Sequence, residues 1–546
     1  MSRIIIIIPA RGGSKGIPRK NLRPLLGKPL IYYSIQNGLN LKNIFDIEVV
    51  LTSDDNEILT MAEKLGATTV KRSQNLADDI TTLDPVIQDA LVQSEKKFNK
   101  IFDVVITLQP TSPLLSKESL VSAIENFECN PQIDTIISAI DDTHLSWRKE
   151  DDKFNPNFEK RLNRQFLPKN YKETGAFLIT RRNLVTEQSR IGKNVDLFIL
   201  PYKESIDIDT HEDWNISEYL FKRKTVLFVV SGYHEIGLGH VYNSLSIAHE
   251  IMDHEVVFLV DSKSELAYKK IASFNYKVFI QKEKDIVSDI IDLHPDVVIN
   301  DMLDTSSSYI KSLKSYGLAV VNIEDLGDGA RLADLVINAM YPEKKLIPNH
   351  YFGAKYFILR DEFLFSELND IKEKATRILL SFGGVDPNNL TLKVLESVYD
   401  WCISNKITIE VIIGPGYCHV HTLKGFKEIE LHKNIPNISD FMANADVVFT
   451  SGGRTTFEVA SVGTPTIVIA QNDRELTHFF CSAENGFIHL GLGNKTEKKK
   501  ILDTLTNLVG NFEQRKFMQQ QMLANDLKGG KSRVVNLIKK IIETEC

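Results

Sequence analysis

A chain of 546 residues with 43% hydrophobic and 25% charged content has the make-up of a globular protein too long for one ordinary domain, about three or four by length. Its formal charge of −7 gives no electrostatic basis for nucleic-acid binding. The five cysteines (Cys129, Cys402, Cys418, Cys481, Cys546) form no C-x-x-C pair, which argues against a disulfide framework or thiolate zinc site and suits the cytoplasm.

The first element is an unbroken run, Ile4 to Ile8, as expected of a strand buried on both faces of a parallel sheet. It opens into Pro9-Ala10-Arg11-Gly12-Gly13-Ser14-Lys15-Gly16-Ile17-Pro18. Glycines let backbone N–H groups approach anionic oxygens, and the cations balance their charge, so this loop suits a phosphate chain. It is neither a Walker A loop nor a dinucleotide fingerprint, and a generic turn is an equally good reading of the spacing alone. The run is too short for the ~20 residues that a membrane span needs and lacks a cleavage pattern, so it reads as a strand and no membrane partner is expected.

Apolar runs then alternate with helical periodicity. Strands are expected at Ile47–Thr52, Val104–Leu108 and Thr135–Ala139, with helices at Pro29–Leu41, Asn56–Leu65, Pro85–Phe98 and Ser116–Phe127. That alternation predicts a three-layer α/β domain over 1–223 with ligands at the carboxyl ends of the strands. The two prolines of Gln109-Pro110-Thr111-Ser112-Pro113 force an extended turn, with Ser116 a candidate N-cap. In Asp207-Ile208-Asp209, strand alternation would place both carboxylates on one face, able to grip Mg²⁺, although surface strands often carry such pairs. Thr210 or Asp213 would start the helix Glu212–Phe221.

The loop wording, continued by Lys20-Asn21-Leu22 and Leu26-Gly27-Lys28-Pro29-Leu30, closely resembles the bacterial CMP-sialic-acid synthetases, which also activate legionaminic and pseudaminic acids. Arg164-Gln165-Phe166-Leu167-Pro168 and Tyr171-Lys172-Glu173-Thr174-Gly175-Ala176 extend the resemblance, with Thr174 where the family has asparagine. The resemblance implies transfer of CMP from CTP to a 2-keto sugar acid (a nonulosonic acid), with release of pyrophosphate. It assigns Arg11, Lys15 and Ser14 to the phosphates, Asn21 and Arg72 to the nucleotide, Gln109, Arg164 and Tyr171 to the acceptor, and Asp207 and Asp209 to Mg²⁺. Taken without it, Arg72 is a surface arginine at a strand end and Arg164 an exposed loop residue. Uridylyl or another nucleotidyl transfer is the rival activity.

From Val226 the pattern restarts. Val226–Val230 leads into the glycine-rich Ser231–His240 loop and a helix over Val241–Met252. Two rounds of βα alternation follow, one with Val256–Val260, Val297–Asn300 and Ala319–Ile323, the other with Ile378–Phe382, Ile409–Ile413, Val447–Thr450 and Thr466–Ala470. Two lobes, 224–371 and 372–546, are therefore expected around a cleft. The glycine pairs Gly383-Gly384 and Gly452-Gly453 could receive a diphosphate at helix N-termini. His240 at a helix start suits a general base or a helix cap bonded to backbone.

Gly237-Leu238-Gly239-His240, Ser381-Phe382-Gly383-Gly384 and Ser451-Gly452-Gly453-Arg454-Thr455-Thr456-Phe457-Glu458 resemble the spore-coat-polysaccharide and pseudaminic-acid-pathway UDP-sugar hydrolases, which have a glycosyltransferase-B-like fold. This implies that His240 activates water to release UDP from a UDP-linked 2,4-diacetamido-trideoxy sugar, and that Glu458 binds the uridine ribose. Without it, Glu458 is an ordinary first-turn glutamate. Asn243 stands where the family has arginine. A glycosyltransferase or a non-catalytic nucleotide-sugar module is the alternative. The whole reads as a bifunctional enzyme with CTP, a nonulosonic acid and a UDP-sugar as partners, expected to be a homo-oligomer.

Overall fold

Successive isoleucines of Ile4–Pro9 point to opposite layers: Ile4, Ile6 and Ile8 join one core cluster, Ile5 and Ile7 another. Both faces are buried because helices cover both, which is why the strand needs no polar alternation. The structure is a computed structural model. It describes every residue except Met1, Lys15, Asp79, 234–235, 343–346, Asn434 and 545–546. The chain divides into two units, Met1–Lys222 and Arg223–Cys546.

The first unit holds a seven-stranded sheet in the order Val195–Ile199, Thr135–Asp141, Tyr171–Arg181, Val104–Leu108, Ile4–Pro9, Ile47–Ser53, Thr68–Lys71. Only Tyr171–Arg181 runs antiparallel to its neighbours. The helices Leu30–Asn40, Asn56–Lys64, Leu83–Phe98 and Lys117–Cys129 fall where the periodicity predicts, and Ser116 Oγ caps the last by accepting from Ser119 N. The expected strand around Asp207 is absent. The segment passes as an irregular extended connection from the 3₁₀ turn Tyr202–Ser205 to the helix His211–Lys222, because Thr210 and Asp213 cap that helix: Asp213 Oδ2 accepts from Thr210 N and Asp209 N.

The second unit has two all-parallel sheets. The first runs Lys277–Ile280, Glu255–Val260, Thr225–Val230, Val297–Asp301, Ala319–Ile323, Leu335–Asn338, His350–Phe352; the second runs Ile429–Lys433, Thr408–Ile413, Arg377–Ser381, Val447–Thr450, Thr466–Ala470, Phe487–Leu492. Each carries the doubly wound order, with the switch between its first and fourth strands. Two such lobes make a glycosyltransferase-B-like module. The helix expected over Val241–Met252 is shorter, Gly239–Ala248, its end tightened into i→i−3 bonds from Glu250 N and Ile251 N. The division at 372 also needs correction. Val534, Ile538 and Ile542 of the helix Gly530–Glu543 lie at i, i+4, i+8 and pack with Val226 and Phe228 of the first lobe, because that apolar stripe covers the open face of its sheet.

Candidate active sites

In the first unit the glycine loop leaves the carboxyl end of Ile4–Pro9 and is pinned from several sides. Gly12 N donates to Asp54 Oδ1 (3.0 Å), Arg11 Nη1 to the Asp78 carbonyl (3.3 Å), and Asn21 Nδ2 to the Arg11 carbonyl (2.9 Å). Buried Asn21 therefore braces the loop. Lys15 lies outside the described residues, and Ser14 is half-buried on the loop. Lys20 ties the loop to the aspartate segment: Nζ donates to the Ile208 carbonyl (2.6 Å) and to Asp209 Oδ1 (3.0 Å). The approach is so close that a Cβ on Gly16 would lie 2.3 Å from the Asp209 carbonyl oxygen.

Asp207 and Asp209 flank fully buried Ile208, so side alternation survives without a strand. Asp207 is half-buried and Asp209 exposed. Burial first, then the neighbouring carboxylates Asp209 and Asp213, raise the Asp207 pKa against the lowering effects of Thr111 and Lys20. Its Oδ1 is buried without a hydrogen-bond partner among the described residues. An orphaned, desolvated carboxylate oxygen beside a second aspartate fits a hard divalent cation. Gln109 reaches the same place, since a Cβ on Gly175 would meet Gln109 Nε2 at 3.2 Å and Asp207 Oδ2 at 3.4 Å.

Arg72 and Thr174 turn into the interior, whereas Arg164 and Tyr171 stay exposed. Arg72 is no surface residue: it is 4% exposed, Nη2 donates to the Thr52 carbonyl (3.1 Å), Nε has no described partner, and burial lowers its pKa. Thr174, in the asparagine position, turns inward and donates to Ser138 Oγ (2.9 Å). Arg164 and Tyr171 are exposed, with no hydrogen bond to the aspartate segment among the described residues.

In the second unit the motifs collect at the two switch points. His240 is the second residue of the helix Gly239–Ala248, and its Nδ1 meets Asp301 Oδ1 at 2.7 Å, so it is not bonded to backbone as a cap would be. Asp301, at the end of Val297–Asp301, is fully buried and also accepts from Asn243 Nδ2 and Ser244 Oγ, both at 2.9 Å. A buried carboxylate holds the proton on Nδ1, leaving Nε2 as the basic nitrogen. Glu324 is buried as well; burial first pushes its pKa up to about 7, against the pull of Arg454 and N–H bonds from Met340 and Ala339.

The glycine pairs behave differently from each other. Gly452-Gly453 directly precede the helix Thr455–Val462, yet Gly452 N already donates to Glu475 Oε2 (2.9 Å). Gly383-Gly384 do not open a helix. The helix Leu390–Ser404 is capped by Asp386, which accepts from Leu390 N and Thr391 N, and the backbone of Gly384 packs against Gly414, where a Cβ would lie 2.4 Å from the Gly384 Cα. Glu458, proposed for a ribose, accepts from Arg360 Nε at 2.7 Å.

Residues 5–224 match the family model described as Cytidylyltransferase. A pseudaminic acid cytidylyltransferase of Campylobacter jejuni is 41% identical over 228 residues, 40% of this chain and 96% of that protein. This chain belongs to the cytidylyltransferase family. An uncharacterised protein of Methanocaldococcus jannaschii is 30% identical over 352 residues, 56% of the cytidylyltransferase-family chain and 71% of its own. Among solved structures, Acinetobacter baumannii MurG aligns at a TM-score of 0.43 and 14% identity, over 58% of this chain and 99% of its own.

Sequence reasoning on this cytidylyltransferase-family chain gave no role to Lys20, Asp301, Glu324 or Arg454. Asp301 had a signal: it is a carboxylate closing the apolar strand Val297–Asp301, at the end where ligands gather. Glu324 follows Ala319–Ile323 in the same way. Lys20 and Arg454 had none, since their partners lie 188 and 211 residues away.

Proposed function

We propose that the first unit transfers CMP from CTP to a nonulosonic acid of the pseudaminic type. The observation that carries this is the glycine loop locked onto the Asp207–Asp209 segment by Lys20 and Gly16. The 41% identity to a pseudaminic acid cytidylyltransferase supports the choice of acid. The acceptor's anomeric hydroxyl attacks the α-phosphorus, the bond to the bridging oxygen breaks, and pyrophosphate leaves. Arg11 on the braced loop meets the phosphates, and Lys20 holds Asp209 in place. Asp207 and Asp209 would hold Mg²⁺, which when bound neutralises phosphate charge. The sheet-edge strand Val195–Ile199 exposes Val195, Leu197 and Ile199, which supports a homo-oligomer. The test is pyrophosphate release with CTP or UTP and pseudaminic, legionaminic or sialic acid; a preference for UTP refutes the assignment.

For the second unit we propose hydrolysis of a UDP-linked 2,4-diacetamido-trideoxy sugar. The His240–Asp301 pair carries this reading. His240 Nε2 takes a proton from water as its oxygen bonds to the anomeric carbon, and the bond to the diphosphate breaks towards UDP. Asp301 fixes the tautomer and stabilises the imidazolium. UDP release lost in His240→Ala is the expected result. Glu475 on Gly452 and Arg360 on Glu458 favour one alternative, a module that binds nucleotide sugar without turnover, which UDP binding with no release by the wild type would establish. Among the described residues no helix is long and apolar enough to cross a membrane.

A further inference from the structure

Position 243 lies one helical turn after His240, on the same helix face. Asn243 is 3% exposed and uses both ends of its amide: Nδ2 donates to Asp301 Oδ2 and Oδ1 accepts from Arg454 Nη2 at 3.3 Å. Arg454 comes from the other lobe, at the N-cap of Thr455–Val462. Its stem lies against the histidine's own loop, where a Cβ on Gly239 would meet Arg454 Cδ at 3.0 Å. Its guanidinium stands 4.5 Å from the centre of the Phe357 ring, and Nη2 donates also to the Ile358 carbonyl (3.1 Å).

The hydrogen bonds of this cation go to neutral acceptors only. Asp301, Glu324 and Glu458 are its charged surroundings, with Arg360 opposing them, yet Nε and Nη1 hydrogen-bond no described residue. Arg454 is half-buried, and two N–H groups of a guanidinium that no described residue takes are free to make charge-assisted bonds to an anionic ligand.

We propose that Arg454 delivers from the second lobe the positive charge that position 243 lacks, so that Asn243 and Arg454 form an exchanged pair whose guanidinium meets the diphosphate of the nucleotide sugar beside His240. This rests on the nucleotide-sugar reading of the second unit. The carboxamide at 243 keeps the tie to Asp301 and aims the incoming arginine. As the glycosidic bond breaks, charge grows on the diphosphate and the guanidinium gains most there.

The test measures UDP binding by calorimetry and UDP release from the UDP-sugar in the full chain, for wild type, Arg454→Met, Arg454→Lys and the double exchange Asn243→Arg/Arg454→Ser. A charge-assisted hydrogen bond is worth roughly 10- to 100-fold. Arg454→Met, whose stem still fills the space against Gly239 and Phe357, should bind UDP about 10-fold more weakly or worse and lose roughly 10²-fold in kcat/KM. Arg454→Lys should retain part of both, and the double exchange should recover to within about 10-fold of wild type, which a packing role would not allow. An Arg454→Met protein that binds and releases UDP like wild type overturns the inference, as does a double exchange no better than Arg454→Met. Wild type that neither binds nor releases UDP removes the nucleotide-sugar reading, and this inference with it.

Discussion

Gly16→Ala isolates the contact between the glycine loop and the aspartate segment. The backbone at Gly16 is outside the positive-φ region, so alanine adds only its methyl carbon. That carbon would lie 2.3 Å from the Asp209 carbonyl oxygen and must open to 3.0 Å or more. The oxygen belongs to backbone that Asp213 holds through Asp209 N and Lys20 holds through the side chain, so it cannot swing away as a flexible side chain would. Overpacking of this kind costs about 1–3 kcal/mol, and misplacing catalytic groups by on the order of 1 Å costs about 10²-fold in rate. We expect pyrophosphate release from CTP at saturating acceptor to fall roughly 10²-fold, with the protein still folded. Gly13→Ala is the control, because nothing lies within 4 Å of the added carbon, and its rate should stay within a few-fold of wild type. Wild-type turnover by Gly16→Ala, or an equal loss in both variants, would refute the claim that this contact positions the site.

Asp207→Asn should lower pyrophosphate release by about 10²-fold or more and flatten its Mg²⁺ dependence, because it replaces an oxygen that no described residue satisfies; an unchanged Mg²⁺ titration would exclude Asp207 as a ligand. Asp301→Asn should cut UDP release by roughly 10²- to 10⁴-fold with a much smaller change in KM, since an amide in its place turns N–H groups towards donors from Asn243 and Ser244. Glu324 predicts a pH trend in stability. With a pKa of about 7 in the folded chain against an ordinary 4.5, the native state keeps a proton that the unfolded chain releases, so stability falls as pH rises from 4.5 to 7. The full effect is roughly 3 kcal/mol. Urea titrations between pH 4.5 and 7.5 should show that slope reduced in Glu324→Gln, and identical slopes would remove the assignment.

Most of the architecture follows from local pattern. Five consecutive isoleucines can be buried only between two helical layers, and alternating apolar runs and amphipathic stretches leave little choice but wound parallel sheets, so element positions in both units were readable in the chain. The glycine loops were readable as loops at the carboxyl edge of such sheets, but not in detail, since Gly383-Gly384 open no helix. What each side chain touches was not. Asp207 and Asp209 keep their alternation, but the strand that suggested it gives way to a helix cap formed by Thr210 and Asp213. Arg72 sits at a strand end by sequence and in the interior by structure. The last helix crosses back to the first lobe because its stripe of Val534, Ile538 and Ile542 fits a sheet whose sequence lies some three hundred residues earlier. Local pattern reports on neighbours within a turn or a strand, whereas Lys20 with Asp209, His240 with Asp301 and Asn243 with Arg454 are joined only when segments distant in sequence pack together. Those pairings set the charges and open hydrogen bonds of both sites, and tertiary packing alone decided them.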